Sequence, residues 1–277
     1  MKVAIQGIRG SFHDQAARDY FGDEPELIEC MSFADVFTSV DNGTAEYGVV
    51  AVENSLYGSI NQVYRLLAER NLWVCGEVRL HIALCLIGHT TQDVSELDRA
   101  DVSVLSHFAA LGQCERWLAT NLPRAQHVDC ADTALAVQQI MQNNTEQQVA
   151  IASAQAAELY GATILATPIN DDLDNYTRFF VICKEPIENE RANRTSIILN
   201  EPDTDKPGTL YDALGIFSAH NVNLSKLDSH PKPGKKRTYS FYIDCDESAT
   251  STTGKQVLAE LREHGWDIQI LGTYIAQ

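Results

Sequence analysis

Asp174-Asn175-Tyr176-Thr177-Arg178-Phe179-Phe180 runs straight into Val181-Ile182, so small polar groups and one cation stand at the entrance of an apolar, strand-like run. A strand alternates its side chains between two faces, which sends Thr177 and Phe179 one way and Arg178 and Phe180 the other. One reading is an edge strand that carries a surface arginine. The other is a site in which Arg178 binds an anion while Thr177 offers a hydroxyl to a reacting group. The choice depends on what the rest of the chain places near these residues.

Upstream, the same theme recurs. Val3-Ala4-Ile5 leads into the glycine-bounded turn Gly7-Ile8-Arg9-Gly10-Ser11-Phe12 and then a helical pattern, an arrangement that either makes an ordinary tight turn or presents helix N–H groups to a carboxylate. Tyr47 to Val52 reads as a buried strand that ends in Glu53-Asn54-Ser55-Leu56-Tyr57-Gly58 before another helix. Polar groups where a strand hands over to a helix lie at the carboxyl edge of a sheet, where open α/β folds bind ligands, though Asn54 and Ser55 also suit a plain helix cap. Asp101-Leu105 ends likewise in Ser106-His107, with His107 either a cap or a donor. The βαβα order continues to Cys183.

From Lys184 to Asn193 the apolar periodicity gives way to a charged stretch, as in a linker. Strand and helix patterns then alternate as βαββαβ, the ferredoxin-like order, with Pro231-Lys232-Pro233-Gly234 at a hairpin tip. The 277 residues are enough for two domains and a sizeable core. A formal charge of -17 argues against nucleic-acid and anionic-membrane partners, and any anionic substrate then has to be met by locally arranged donors. The seven cysteines form no Cys-x-x-Cys pair or zinc-spaced cluster, which points to reduced core thiols, a cytoplasmic setting and no metal site. Met1 to Gly7 pass directly into a strand pattern, without the features of a targeting peptide.

Five stretches together give the chain a resemblance to the prephenate dehydratases. They are Gly7-x-x-Gly10-Ser11-Phe12; Glu53-Asn54-Ser55-x-x-Gly58; Ser106-His107 with Ala110-Leu111-x-Gln113-Cys114; Ala150-Ile151-Ala152-Ser153 with Tyr160-Gly161; and Asn175-x-Thr177-Arg178-Phe179. Residues 194–277 are similar to the regulatory ACT domain of the monofunctional enzymes. The resemblance implies an α/β catalytic domain over residues 1–184, built of two lobes like a periplasmic binding protein. One lobe would take residues 1–78 and 165–184, the other 79–164. The sequence departs from the family pattern at Ala51, where proline is usual, at Phe108-Ala109, where Pro-Gln is usual, and at Gly208-Thr209-Leu210 and Asp228-Ser229-His230-Pro231 in the regulatory motifs.

The implied reaction converts prephenate to phenylpyruvate, CO2 and water in phenylalanine biosynthesis, with no cofactor. Thr177, Arg178, Asn54, Ser55 and Glu53 would be catalytic, with Thr177 at the leaving hydroxyl and Arg178 on a substrate carboxylate. Gly10, Ser11, Ser106, His107 and Phe179 would bind substrate, and His107, His13 and Glu53 compete with Thr177 as proton sources. Phenylalanine as effector would be bound by Gly208, Thr209, Leu210, Asn223, Leu224, Asp228, Ser229 and His230 in a homodimer or homotetramer. Arogenate dehydration is the neighbouring alternative, and a non-catalytic amino-acid sensor the alternative of a different class.

Overall fold

The computed structural model describes residues 1–22, 25–202, 206–232 and 239–276; Pro233 and Gly234 of the anticipated hairpin tip lie outside the described residues. The chain begins with β1 (Lys2–Gln6), α1 (Phe12–Phe21), β2 (Glu26–Cys30), α2 (Phe33–Asp41), β3 (Tyr47–Asn54), β4 (Gly58–Ser59), α3 (Asn61–Glu69) and β5 (Trp73–His81). It continues through β6 (Cys85–Gly88), β7 (Ser103–Ser106), α4 (Phe108–Gly112), α5 (Glu115–Asn121), β8 (Gln126–Asp129), α6 (Thr133–Asn143), β9 (Gln148–Ala152), α7 (Ala154–Tyr160) and β10 (Thr163–Ala166), then returns as β11 (Tyr176–Cys183). The C-terminal part is β12 (Arg194–Asn200), α8 (Thr209–Ala219), β13 (Leu224–Pro231), β14 (Tyr239–Cys245), α9 (Thr252–Glu263) and β15 (Asp267–Tyr274).

Three sheets result. The first has the order β2-β1-β3-β11-β5, with β4 hooked onto β3; the second has β10-β6-β9-β7-β8; the third has β13-β14-β12-β15. The first therefore takes strands from residues 2–81 and the returning 176–183, while the second is built wholly within 85–166. Strand β5 runs past the boundary anticipated at residue 78, because Val78 and Leu80 remain buried while Arg79 and His81 point outward, and β11 stays paired with it to His81. The helices start where the sequence provides caps: Ser11, Ser32, Asp132, Ser153 and Ser251 each accept a first-turn N–H.

The first sheet is apolar on both faces, and this dictates the assembly. Val3, Ile5, Val49, Ala51, Phe179 and Val181 join a core shared with the second sheet. Ala4, Val50, Val52, Phe180 and Ile182 join a second core that includes Ile198, Tyr242, Leu271 and Tyr274 from the C-terminal sheet. The C-terminal sheet thus has helices α8 and α9 on one face, with their own core, and the first sheet on the other. This junction is tight: a Cβ at Gly272 would fall within the Val74 carbonyl of β5. Gly272→Ala should accordingly destabilise the chain by about 1–3 kcal/mol through overpacking. A thermal unfolding midpoint lowered by several degrees is the expected result, and an unchanged midpoint would contradict so close a junction.

Candidate active site

Between the first and second sheets lies a cavity of about 550 Å³. Its walls come from the ends of β3 and β11, from the first turns of α1, α2, α4 and α6, and from Ile60 and Gln62 at the start of α3. Among the described residues that line it none is lysine or arginine. Helix N-termini carry partial positive charge and first-turn N–H groups without intrahelical partners, so an anion entering here meets dipoles and neutral donors. Of the residues anticipated from sequence, Thr177, Asn54, His107 and Phe179 line the cavity.

A chain of side-chain amides orients Thr177. Gln113 Oε1 accepts from Asn175 Nδ2 at 2.9 Å, and Asn175 Oδ1 accepts from Asn54 Nδ2 at 2.8 Å. Asn54 Nδ2 also donates to Thr177 Oγ1 at 3.1 Å, while Asn54 Oδ1 accepts the N–H groups of Leu56 and Tyr57 at 3.0 and 3.1 Å. Because the threonine oxygen accepts from an amide, its own proton is left to serve as a donor. Asn175 is fully buried, so its bonds to Asn54 and Gln113 fix geometry in a low-dielectric setting. Tyr57 reaches from the loop after β3 to the carbonyl of Ala109 on α4 at 3.2 Å, spanning the two lobes.

The two histidines of the cavity are neutral donors. His107 Nδ1 accepts from Ala109 N at 3.3 Å, which leaves Nε2 to carry the proton. Burial lowers its pKa, opposed in part by Asp129. His13 Nε2 accepts from Ala51 N at 3.2 Å, and burial takes its pKa down to about 3. A proline at position 51 would have no N–H to give, so this departure from the family pattern goes with the tautomer of His13. The one carboxyl among the described lining residues, Asp132, caps α6 through Ala134 and Leu135; burial, the largest influence, raises its pKa.

Arg178 does not reach the cavity. Its guanidinium lies behind the sheet, 3% exposed, donating to Glu77 Oε2 at 2.7 Å, to Asp244 and to Tyr274 Oη at 3.0 Å, and it stacks over Phe180 at 4.7 Å. The anticipated carboxylate contact is therefore corrected: alternation aims Arg178 at the C-terminal sheet. Glu53 also faces backwards, pairing with Lys226 Nζ at 3.2 Å. A bulge explains this. Phe179 pairs with Ala51 and Arg178 with Glu53, so Val52 is an extra residue on β3; Val52 and Glu53 both lie behind the sheet while Ala51 and Asn54 face the cavity.

Four further residues anticipated at the site stand just outside it. Ser55 accepts from Tyr176 N at 3.0 Å and continues the pairing of the strand ends. Ser106 Oγ donates to Ile151 O, and Ser11 Oγ caps Asp14 N. The Gly10 amide is taken by Asp14 Oδ2 at 2.8 Å and the Ser11 amide by Ile8 O, so neither loop amide is left for a carboxylate. In the C-terminal domain Gly208 precedes α8 with φ of 90°, Thr209 Oγ1 donates to Lys206 O, and Asn223 Nδ2 donates to Asp246 Oδ2. Leu210 and Leu224 pack on the helix-side core, Ser229 is exposed, and His230 packs beside Tyr242 and Tyr64.

A protein-family model described as prephenate dehydratase matches residues 3–187. The chain belongs to the prephenate dehydratase family. It is 35% identical to a protein of Aquifex aeolicus named bifunctional chorismate mutase/prephenate dehydratase, over 99% of this chain and 73% of that one. It is also 35% identical to the chloroplastic arogenate dehydratase/prephenate dehydratase 2 of Arabidopsis thaliana, over 99% of this chain and 72% of the relative. Among solved structures, prephenate dehydratase from Arthrobacter aurescens in complex with L-Phe superposes with a TM-score of 0.88 at 26% identity, covering 100% of this chain and 90% of that one.

Within this family member, the sequence reading left Gln113 and Asn175 as motif letters without a role and did not single out Tyr57 or Asp132. A polar residue immediately before an apolar strand, as Asn175 is before Tyr176–Cys183, was the available signal; the interlobe reach of Tyr57 had none. The burial of Arg178 and of His13 can each be tested. In Arg178→Met the carboxylates of Glu77 and Asp244 lose a buried partner, a change that costs about 3–5 kcal/mol. Unfolding should shift strongly, whereas loss of a substrate contact alone would raise KM in a chain of normal stability. For His13, with a folded pKa below its unfolded value, the unfolded chain binds more protons at acid pH. Stability should decline as pH falls from about 6.5 towards 3, and His13→Gln should flatten that decline in denaturant titrations.

Proposed function

We propose that this chain catalyses the decarboxylating dehydration of prephenate to phenylpyruvate, with Thr177 as the donor to the departing ring hydroxyl. Membership of the family supports the reaction. The amide chain through Asn54 supports the role of Thr177, because it fixes the threonine oxygen as an acceptor and leaves its proton for the substrate. Prephenate carries a ring carboxylate, a pyruvyl carboxylate and a ring hydroxyl. Losing CO2 and hydroxide restores aromaticity, so the enzyme has to hold a dianion in a reactive conformation and assist the leaving oxygen.

With Arg178 directed away, the carboxylates fall to the converging helix N-termini and to the neutral donors His107 and His13. Donors without a full charge bind the dianion while following the change as one carboxylate departs as neutral CO2. A threonine hydroxyl is too weak an acid to give up its proton fully, and it acts by hydrogen bonding or by relay. The apolar wall, with Phe12, Phe33 and Phe179, receives the ring and displaces water from it.

The C-terminal domain, with its βαββαβ order, carries the proposed control. The likeness to a structure described with L-Phe supports phenylalanine as the effector. We place it near Gly208 to Leu210 and Asn223 to Leu224, in a homodimer or homotetramer. Of the other anticipated effector residues, Asp228 interacts with Ser59 and His230 packs against Tyr64, both on the catalytic domain.

Purified protein given prephenate should form phenylpyruvate, and arogenate run in parallel reads the alternative substrate. Thr177→Ala should lower kcat by about 10² or more with substrate affinity kept, and Thr177→Ser should retain most of the rate. A near-normal kcat in folded Thr177→Ala would remove the threonine from its role. No turnover of either substrate by the folded wild type would reject the reaction itself.

A further inference from the structure

Lys226, on β13 of the C-terminal domain, reaches the catalytic domain at the base of the loop that carries Asn54 and Tyr57. Its Nζ donates to Glu53 Oε2 at 3.2 Å and to Ser59 Oγ at 2.8 Å, and it lies 5.2 Å from the centre of the Tyr64 ring on α3. Glu53 and Ser59 are partners across the β3–β4 ladder, as are Asn54 and Gly58. A single ammonium group therefore ties together the two ends of the 54–58 loop from behind. At 9% side-chain exposure it does so where water competes little. Asp228, two residues along the same strand face, also interacts with Ser59. Burial opposes its ionisation, but Ser59, His230 and Lys226 together hold its carboxyl below the usual range.

The loop held in this way has its working side on the cavity. Asn54 orients Thr177, and its Oδ1 gathers the amides of Leu56 and Tyr57, whose hydroxyl crosses to Ala109. The β3 bulge puts Glu53 behind the sheet and the adjacent Asn54 in front, so a shift of Glu53 moves Asn54 by way of the shared backbone. We infer that Lys226 is a positioning residue for the reaction, setting Asn54 and the Tyr57 crossing through Glu53 and Ser59. The inference rests on the proposed reaction for its kinetic consequence, though not for its structural one. It also gives β13, the strand that bears Asp228 and His230, a direct mechanical path to the cavity.

The test compares Lys226→Met with Lys226→Arg in the full-length chain, by steady-state kinetics on prephenate and by hydrogen exchange at the Leu56 and Tyr57 amides without substrate. Met keeps the stem over Tyr64 and loses the charge; Arg keeps the charge. Lys226→Met should lose about ten-fold or more in kcat, with KM changed far less, because a small misplacement of a catalytic group is felt chiefly in the chemical step. Its Leu56 and Tyr57 amides should exchange faster than in wild type. Lys226→Arg should restore both readouts. If Lys226→Met does not fold, Glu53→Gln, on a partly exposed side chain, gives the same two readouts. Wild-type kcat and wild-type exchange in a folded Lys226→Met, or in folded Glu53→Gln, would overturn the inference. Should the wild type fail to turn over prephenate, the exchange comparison still decides whether Lys226 holds the loop.

Discussion

A buried guanidinium organises this molecule. Arg178 lies between the first sheet and the C-terminal sheet, and an ion of that kind costs several kcal/mol to remove from water unless its donors are met. Glu77 from β5, Asp244 from β14, the Tyr274 hydroxyl and the face of Phe180 meet them. Arg194 of the C-terminal domain completes the arrangement by donating to Glu77 Oε1 at 2.8 Å and to Asp246. Each domain thus holds a cation whose counter-charge comes partly from the other, and burial raises the cost of separating them. Burial also opposes the charge on Arg178, yet Asp244, Tyr274 and Glu77 more than offset it and push its pKa higher still.

The consequence for the site follows from strand geometry. Thr177 and Arg178 are neighbours in sequence and occupy opposite faces of one sheet, so the same strand that seats the C-terminal domain also presents the hydroxyl to the cavity. Its partner strand does likewise by a different device: the bulge at Val52 turns Glu53 to the back and Asn54 to the front. Across the ladder, Thr177 pairs with Asn54 and Arg178 with Glu53. The two polar dipeptides form one unit, with chemistry on one side of a sheet and domain contacts on the other. Any displacement of the C-terminal sheet therefore acts on both strands that carry the proposed catalytic groups.

Much of this was legible in the chain itself. Apolar runs punctuated by glycine and by serine caps marked both α/β lobes, and a change of composition at residues 184–193 marked the C-terminal βαββαβ unit. The opposite faces of Thr177 and Arg178 followed from period-two alternation alone. What alternation does not say is which face holds the cavity, and Arg178 was given a substrate contact for that reason. A bulge has no signature in Ala51-Val52-Glu53-Asn54, and strict alternation after buried Val52 would put Glu53 at the front. Strand β8, Gln126-His127-Val128-Asp129, is exposed along its whole length and shows no apolar pattern that would reveal a strand, while β10, Thr163-Ile164-Leu165-Ala166, is apolar but only four residues long. The contacts of Lys226 and Tyr57 join residues far apart in sequence, and only the packed domains bring them together.

The most direct test of this division of labour is a crystal structure of the protein with an unreactive dicarboxylate analogue of prephenate in the cavity. The account predicts an analogue hydroxyl within hydrogen-bonding distance of Thr177 Oγ1, carboxylates on helix N-termini and histidine N–H groups, and Arg178 still paired with Glu77 and Asp244. A guanidinium turned into the cavity to grasp a carboxylate, with Glu77 and Asp244 left without it, would contradict the account at its centre.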